Sequence, residues 1–335
     1  MAIARKNQID LSQTPYYHCT SRCVRRAFLC GEDPLTGRTF HHRKQWLAER
    51  IALAGSAFAI DVCAYAIMSN HYHLVLRVNI EACSKLSDFD VAQRWLTLYH
   101  GHPLVRYWLE HGDSQLTKPE RSIVEKHIAL YRKQLTDISW FMRFTNEYIS
   151  RRSNKEDDCK GHFWEARFDS QALLDESALL TCMAYVDLNP IRASLAQTPE
   201  ASSYTSIQSR LQEFEQQNAH KEQPIRPKLL PFMKEEFHPD KQSKAYIPYL
   251  ATDYFELVDW TGRALRADKS GVIPQHIQPI LDRINISSHQ WIQTISHIEY
   301  QFSHAIGLVD KMQLWCESIG LRWCKGISCS RVLFR

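Results

Sequence analysis

The run Tyr65-Ala-Ile-Met-Ser-Asn-His-Tyr-His-Leu-Val-Leu-Arg-Val78 limits what this chain can fold into more than any other stretch. It is apolar on both sides of Ser69-Asn70, a pair suited to a tight link between strands. Read as a strand, residues 71–78 place His71, His73, Val75 and Arg77 on one face and Tyr72, Leu74, Leu76 and Val78 on the other. The second set is a core face. The first set brings together two imidazoles and a cation, a pattern able to hold a divalent metal and meet a phosphate. Spacing alone does not separate that reading from an ordinary half-buried strand.

The surrounding pattern predicts the elements on either side. Thr14–Cys23 reads as a first strand leading into the basic turn Arg22–Arg26. Residues 41–56 carry helical spacing at Trp46, Leu47, Ile51 and Leu53, with Gly55 as a stop. Phe58–Met68 is a second apolar run. Strand, helix and antiparallel pair in that order open a ferredoxin-like sandwich. Residues 88–152 read as helices interrupted at Gly101, Pro103 and Gly112, with Pro119 in a first turn. The polar stretch Ser153–Lys160 reads as a loop, and Gln171–Leu174 as a last strand.

A helix capped by Asp175 or Ser177 then runs from Glu176 to about Leu188, where Pro190 disfavours helical geometry at Asn189. On its wheel, Leu179, Leu180, Met183 and Val186 make one apolar stripe. Tyr185 and Asn189 are four residues apart, so they share a face that points away from that stripe. The expected class is therefore α+β. A ferredoxin-like antiparallel sheet with helices on it occupies 1–200, a polar linker with a helix around 203–217 spans 201–245, and a mainly helical extension covers 246–335.

Composition narrows the function classes. With 44% hydrophobic and 23% charged residues, the 335-residue chain is globular in character, and no apolar run approaches the roughly 20 residues a bilayer span requires. The N-terminus lacks an apolar signal core, so a cytoplasmic location is expected. The ten cysteines are scattered and are expected reduced; the closest pairs, Cys19/Cys23 and Cys324/Cys329, lack C-x-x-C spacing. The net charge is +4, and residues 1–50 hold nine Lys or Arg against four acids. That basic segment is consistent with phosphate-backbone contacts.

A His-x-His strand, a helix presenting Tyr185 with Asn189 one turn on, and basic flanks meet the needs of phosphodiester transfer by a tyrosine. A metal polarises the scissile phosphate, and the tyrosine oxygen attacks and conserves the bond as a phosphotyrosine. Free tyrosine has a pKa of about 10, so it needs the metal or nearby cations to act near neutrality. Two imidazoles leave positions open for oxygen ligands such as an Asn carboxamide, which favours Mg²⁺ or Mn²⁺.

Four segments carry a resemblance. They are Tyr17-His-Cys-Thr-Ser-Arg-Cys-Val-Arg-Arg26, Met68-Ser-Asn-His-Tyr-His-Leu-Val-Leu76, Gly161-His-Phe-Trp-Glu-Ala-Arg-Phe168 and Tyr185-Val-Asp-Leu-Asn-Pro-Ile-Arg-Ala193. In this order, and over roughly residues 10–200, the chain resembles the HUH-type single-tyrosine transposases, specifically the REP-associated tyrosine transposases. The resemblance implies a ferredoxin-like catalytic domain that cuts and rejoins single-stranded DNA near small hairpins. It further implies that His71 and His73 bind the metal with Asn189 as third ligand, and that Tyr185 is the nucleophile, keeping the 5′ phosphate and releasing a 3′ hydroxyl. Tyr72, between the histidines, fits the pattern only loosely, and the strand points it away from them.

Two rivals stand beside these assignments: Tyr148, next to Arg151 and Arg152, as nucleophile, and Glu165 as a metal ligand in place of Asn189. Arg22, Arg25, Arg26, Arg77 and Arg167 are candidates for DNA contacts. Besides a strand transferase, the sequence admits a catalytically quiet, hairpin-binding regulator of the same ancestry, or an unrelated metal hydrolase. A monomer and a homodimer are both open.

Overall fold

The computed structural model describes residues 8–24, 29–33, 37–215, 225–234, 246–266, 281–282 and 286–334. Its strands are β1 (Tyr16–Arg22), β2 (Ile60–Ile67), β3 (His71–Val78), β4 (Asp169–Leu173), β5 (Phe232–Met233), β6 (Ile247–Leu250) and β7 (Ala305–Ile306). Its helices in the first half are α1 (His42–Ala57), α2 (Ile80–Ser84), α3 (Asp88–Leu98), α4 (Pro103–His111), α5 (Lys118–Gln134) and α6 (Ile138–Glu156). Those that follow are α7 (Glu176–Asp187), α8 (Asn189–Arg192), α9 (Ser206–Glu215), α10 (Ala251–Leu265), α11 (Ser288–Gln301), α12 (Val309–Ser318) and α13 (Ile327–Leu333).

The fold is mixed α+β, built on a five-stranded sheet in the order β2-β3-β1-β4-β7; β5 and β6 form a separate pair. β3 lies antiparallel between β2 and β1, β4 is antiparallel to β1, and β7 is parallel to β4. The register sorts side chains by face, because directly opposed residues point the same way. Tyr17, Cys19 and Ser21 oppose Leu76, Leu74 and Tyr72, and this face packs on α6. There the Tyr72 hydroxyl donates to Asn146 Oδ1 (2.6 Å), and Asn146 Nδ2 donates to Ser21 Oγ (2.9 Å). α1 lies beside α6, with Arg50 Nε donating to the Phe144 carbonyl at 3.2 Å. On the opposite face, His18, Thr20 and Arg22 oppose Val75, His73 and His71, and α7 covers them.

Two stretches depart from the sequence reading. Ser153–Lys160 reads as a loop, yet α6 runs on to Glu156. The cause is Arg43, fully buried, which pairs with Glu156 (2.7 Å) and Asp157 and so holds the last polar turn in place. Residues read as a polar linker close the open edge of β2. Tyr65 N donates to Ser206 Oγ (2.9 Å), Ile67 N to the Tyr204 carbonyl (3.1 Å) and Leu230 N to the Val62 carbonyl (2.8 Å). Arg210, also buried, bridges the Cys63 and Leu230 carbonyls at 2.9 Å each. An edge strand left bare would expose these groups to pairing with another chain.

The C-terminal segment is built into the same body. Asp175 caps α7 by accepting from Ala178 N (2.8 Å), while its other oxygen accepts from Leu308 N (2.7 Å) just past β7. Gly307 sits between them at φ +156°, and a Cβ there would lie 2.7 Å from Asp175 Oδ2 and 2.8 Å from Leu174 Cβ. No other residue fits so close an approach.

Asp187, at the end of α7, is fully buried and accepts from the Ser206 hydroxyl, Ile207 N (2.8 Å) and the Tyr254 hydroxyl (2.6 Å), tying α9 and α10 to α7. Asp187→Ala takes the acceptor from Ile207 N and the Tyr254 hydroxyl at about 1–3 kcal/mol each, while Ser206 keeps the Tyr65 carbonyl at 3.3 Å, so a loss of about 2 kcal/mol or more is expected in the unfolding free energy from urea titration. A change under about 1 kcal/mol would show that the carboxylate does not tie these helices together. Among the described residues no disulfide forms, and no helix is long and apolar enough to cross a membrane.

Candidate active site and metal-binding residues

β3 delivers His71 and His73 to the face under α7, and α7 and α8 bring Tyr185 and Asn189 down onto them. The His71 and His73 rings stand edge to face, 4.8 Å between centroids, and the His73 and Tyr185 rings do the same at 5.7 Å. Asn189 Nδ2 lies 3.1 Å from His73 Nε2. A cleft of about 250 Å³ opens here, lined among others by His18, Thr20, Arg22, His73, Tyr185 and Glu299.

The hydrogen bonds set the tautomers. His18 Nδ1 donates to Gln171 Oε1 (3.0 Å), which leaves a lone pair on His18 Nε2. His73 Nδ1 donates to that lone pair at 2.9 Å, with the Thr20 hydroxyl 3.1 Å away, and His73 Nε2 is then an acceptor. His71 Nδ1 donates to Asn70 Oδ1 at 2.6 Å, which frees its Nε2 as well. This assignment follows from the amide oxygens being acceptors. Fixing one imidazole nitrogen so that the other offers its lone pair is the arrangement found behind metal-binding histidines.

Electrostatics point the same way. Burial lowers the His73 pKa well below its ordinary value, and the neighbouring histidines and arginines lower it further. Burial lowers His71 to about 4, assisted by the Arg22 guanidinium, and lowers His18 too. All three rings are therefore neutral near pH 7: the His71 Nε2 lone pair is open, that of His73 Nε2 faces the Asn189 amide, and that of His18 Nε2 accepts from His73. Tyr185 moves the other way, to about 12, chiefly through burial and then through the Glu299 carboxylate, against a partial offset from Arg192. The Arg192 guanidinium sits 4.6 Å from the Tyr185 ring centroid.

Among the described residues no group of three or more His, Cys, Asp or Glu is placed to hold a metal. The donor set here is a different one: two neutral imidazoles and one carboxamide, whose Nδ2 and Oδ1 exchange places when the amide turns over. That set fits an ion whose remaining positions are filled by water and phosphate oxygens.

The other candidates divide. Arg22, Arg167 and Glu165 line the cleft. Arg77 is six residues along β3 from His71, about 20 Å away at the usual rise, and is buried in an ion pair with Asp61 at 3.2 Å. Arg25 and Arg26 lie outside the described residues. Tyr148 is on α6, behind the sheet, where its hydroxyl accepts from Arg152 and its ring carries the Arg50 guanidinium at 4.5 Å. Tyr185 was expected to point off its helix's apolar stripe. In the structure every residue of α7 from Ala178 to Asp187 is buried, and Tyr185 is only 2% exposed, with α11 packed against α7.

Four residues of the site went unread in the sequence. His18 and Thr20 fall on the histidine face of β1 by two-residue alternation, and Gln171 does so on β4; that period was the available signal. Glu299, on α11, carried no signal. The Tyr185 hydroxyl donates to its Oε2 (3.1 Å), and Arg22 Nη2 donates to its Oε1 (3.4 Å).

Neither a family model nor a curated protein matches the chain. Among solved structures it is similar to a REP-associated tyrosine transposase bound to a REP hairpin, at 10% identity and a TM-score of 0.34, over 65% of this chain and 93% of that one. At that identity and score, the likeness carries no inference about chemistry.

Proposed function

We propose that this chain is a metal-dependent single-stranded DNA endonuclease and strand transferase, a transposase of the HUH single-tyrosine kind, acting beside REP-like hairpins through a 5′-phosphotyrosine on Tyr185. The observation that carries the reading is the convergence of Tyr185, His71 and the Asn189 amide on His73, where His73 and Tyr185 line a cleft shared with Arg22 and Arg167. The strand order β2-β3-β1-β4, with β3 inserted between β1 and β2, supports a ferredoxin-like catalytic domain.

His71, His73 and Asn189 would hold Mg²⁺ or Mn²⁺, which supplies Lewis-acid polarisation of the scissile phosphate. The chain's own part is positional and electrostatic. Arg22 and Arg167 neutralise the incoming backbone at the cleft mouth. The Tyr185 ring packs edge to face on His73 and under the Arg192 guanidinium, contacts that orient it. Its oxygen attacks phosphorus, the P–O3′ bond breaks, and the 5′ phosphate stays on Tyr185 until a 3′ hydroxyl reverses the step.

A denaturing gel of the full chain with labelled single-stranded hairpin DNA and Mn²⁺ tests this. Wild type and Tyr148→Phe are expected to give a shifted covalent band. Cleavage without any protein–DNA adduct would sink the reading in favour of an ordinary hydrolase. Binding with neither cleavage nor adduct would favour the regulator, the reading supported by the near-complete burial of Tyr185 under α11.

The relay behind His73 has its own consequence. His18→Ala removes the acceptor that fixes the His73 tautomer, and Mn²⁺ affinity is expected to fall about 10–100-fold, read by titration of the folded protein. An unchanged affinity would mean that Thr20 alone orients the ring.

A further inference from the structure

The Tyr185 hydroxyl does not aim its proton at the histidines. Its donated hydrogen bond goes to Glu299, 114 residues downstream in the segment beyond the resemblance. We infer that Glu299 is a catalytic residue: its Oε2 takes the Tyr185 proton as the phenolic oxygen attacks. This rests on the transferase reading above.

Three observations narrow the assignment to Glu299. His73 Nδ1 and His18 are occupied by the relay to Gln171, and both rings meet Tyr185 edge to face, at 5.7 and 6.1 Å between centroids. Arg192 is a cation and accepts nothing. Glu299 is an acceptor already at hydrogen-bond distance, the geometric requirement for a general base. Its other oxygen is steadied by Arg22, and its side chain is 43% exposed, so an acquired proton passes on to water.

α11 also seats Arg192, whose Nη2 donates to the Ser296 carbonyl at 2.9 Å, one turn before Glu299. One helix thus supplies the base and holds the cation that lies over the phenol ring.

The step balances. The Oη–H bond breaks and its proton moves to Glu299; the Oη–P bond forms and P–O3′ breaks, and the 3′ oxygen is protonated by water. In rejoining, the incoming 3′ hydroxyl loses its proton to solvent, and Glu299 returns one to the departing Tyr185 oxygen. No oxidant or further reactant is needed.

The test is single-turnover adduct formation by the full chain on labelled hairpin DNA with saturating Mn²⁺. Glu299→Gln keeps the shape but accepts no proton, and its rate is expected to fall about 100-fold or more, with hairpin affinity unchanged. Glu299→Asp is expected to recover part of the loss. Replacing Tyr185 by 3-fluorotyrosine, whose hydroxyl is more acidic, is expected to narrow the gap between wild type and Glu299→Gln, which a purely structural role would not do. A Glu299→Gln rate at or above wild type overturns the inference and makes α11 a restraint on the nucleophile. Equal loss of hairpin binding and rate overturns it in favour of a structural part. If wild type forms no Tyr185-dependent adduct, the transferase reading fails and this inference falls with it.

Discussion

Tyr185→Phe is expected to abolish the covalent protein–DNA band while leaving hairpin binding intact. Removing a nucleophile from residues that act as a unit costs on the order of 10⁶ in rate where it has been measured, so the band should drop below detection. The packing explains why binding survives. The ring keeps its edge-to-face contact with His73 and its place under Arg192, and the only group lost is a hydroxyl whose partner, Glu299, retains Arg22. The stability cost should stay near 1 kcal/mol, the worth of one hydrogen bond. The measurement is a denaturing gel with a filter-binding assay on the same preparations. An adduct that persists in Tyr185→Phe and disappears in Tyr148→Phe would move the nucleophile to α6. That outcome would require α6 to leave the far side of the sheet, against its contacts with Tyr72 and Ser21.

The second large effect is expected at His73. Polarising a phosphoryl oxygen is worth several kcal/mol, and at about 1.4 kcal/mol per tenfold this predicts a 10²–10⁴-fold loss of adduct formation in His73→Ala. The residual rate should no longer respond to Mn²⁺. His73 is the more exacting of the two imidazoles because it is buried and both of its nitrogens are engaged, by His18 and Thr20 on one side and by Asn189 on the other. His71 is half-buried, and its Nδ1 is held by Asn70. Adduct rates measured across a Mn²⁺ titration separate the cases: an unaltered, saturable metal response in His73→Ala would remove His73 from the metal site.

Local period accounts for what was legible. Alternation in residues 71–78 separates His71 and His73 from Tyr72 without any knowledge of neighbours, because a strand has a period of two whatever it packs against. The helical period likewise places Tyr185 and Asn189 on one face of the α7–α8 segment. The same period in Tyr16–Arg22 places His18 and Thr20 on the histidine face as well. The end of α6 was not legible, since the polar run Ser153–Lys160, with three acids and two lysines, has no intrinsic preference that predicts a buried Arg43 from another helix. Nor was the closure of the β2 edge, where Ser206, Tyr204 and Leu230 use backbone and hydroxyl groups that leave no hydrophobic pattern.

By itself the sequence determined which side chains share a face: the paired imidazoles on β3, the Tyr185–Asn189 pair, and the apolar surfaces that bury both elements. Only the tertiary structure decided which faces meet. It set α7 against the histidine side of the sheet, aligned Gln171, His18 and His73 into a relay across three strands, and laid α11 over Tyr185 so that Glu299 reaches its hydroxyl. The physical reason is separation along the chain. Contacts within a strand or a turn of helix repeat with the backbone and show as a period, whereas a single hydrogen bond between residues 114 apart repeats nowhere.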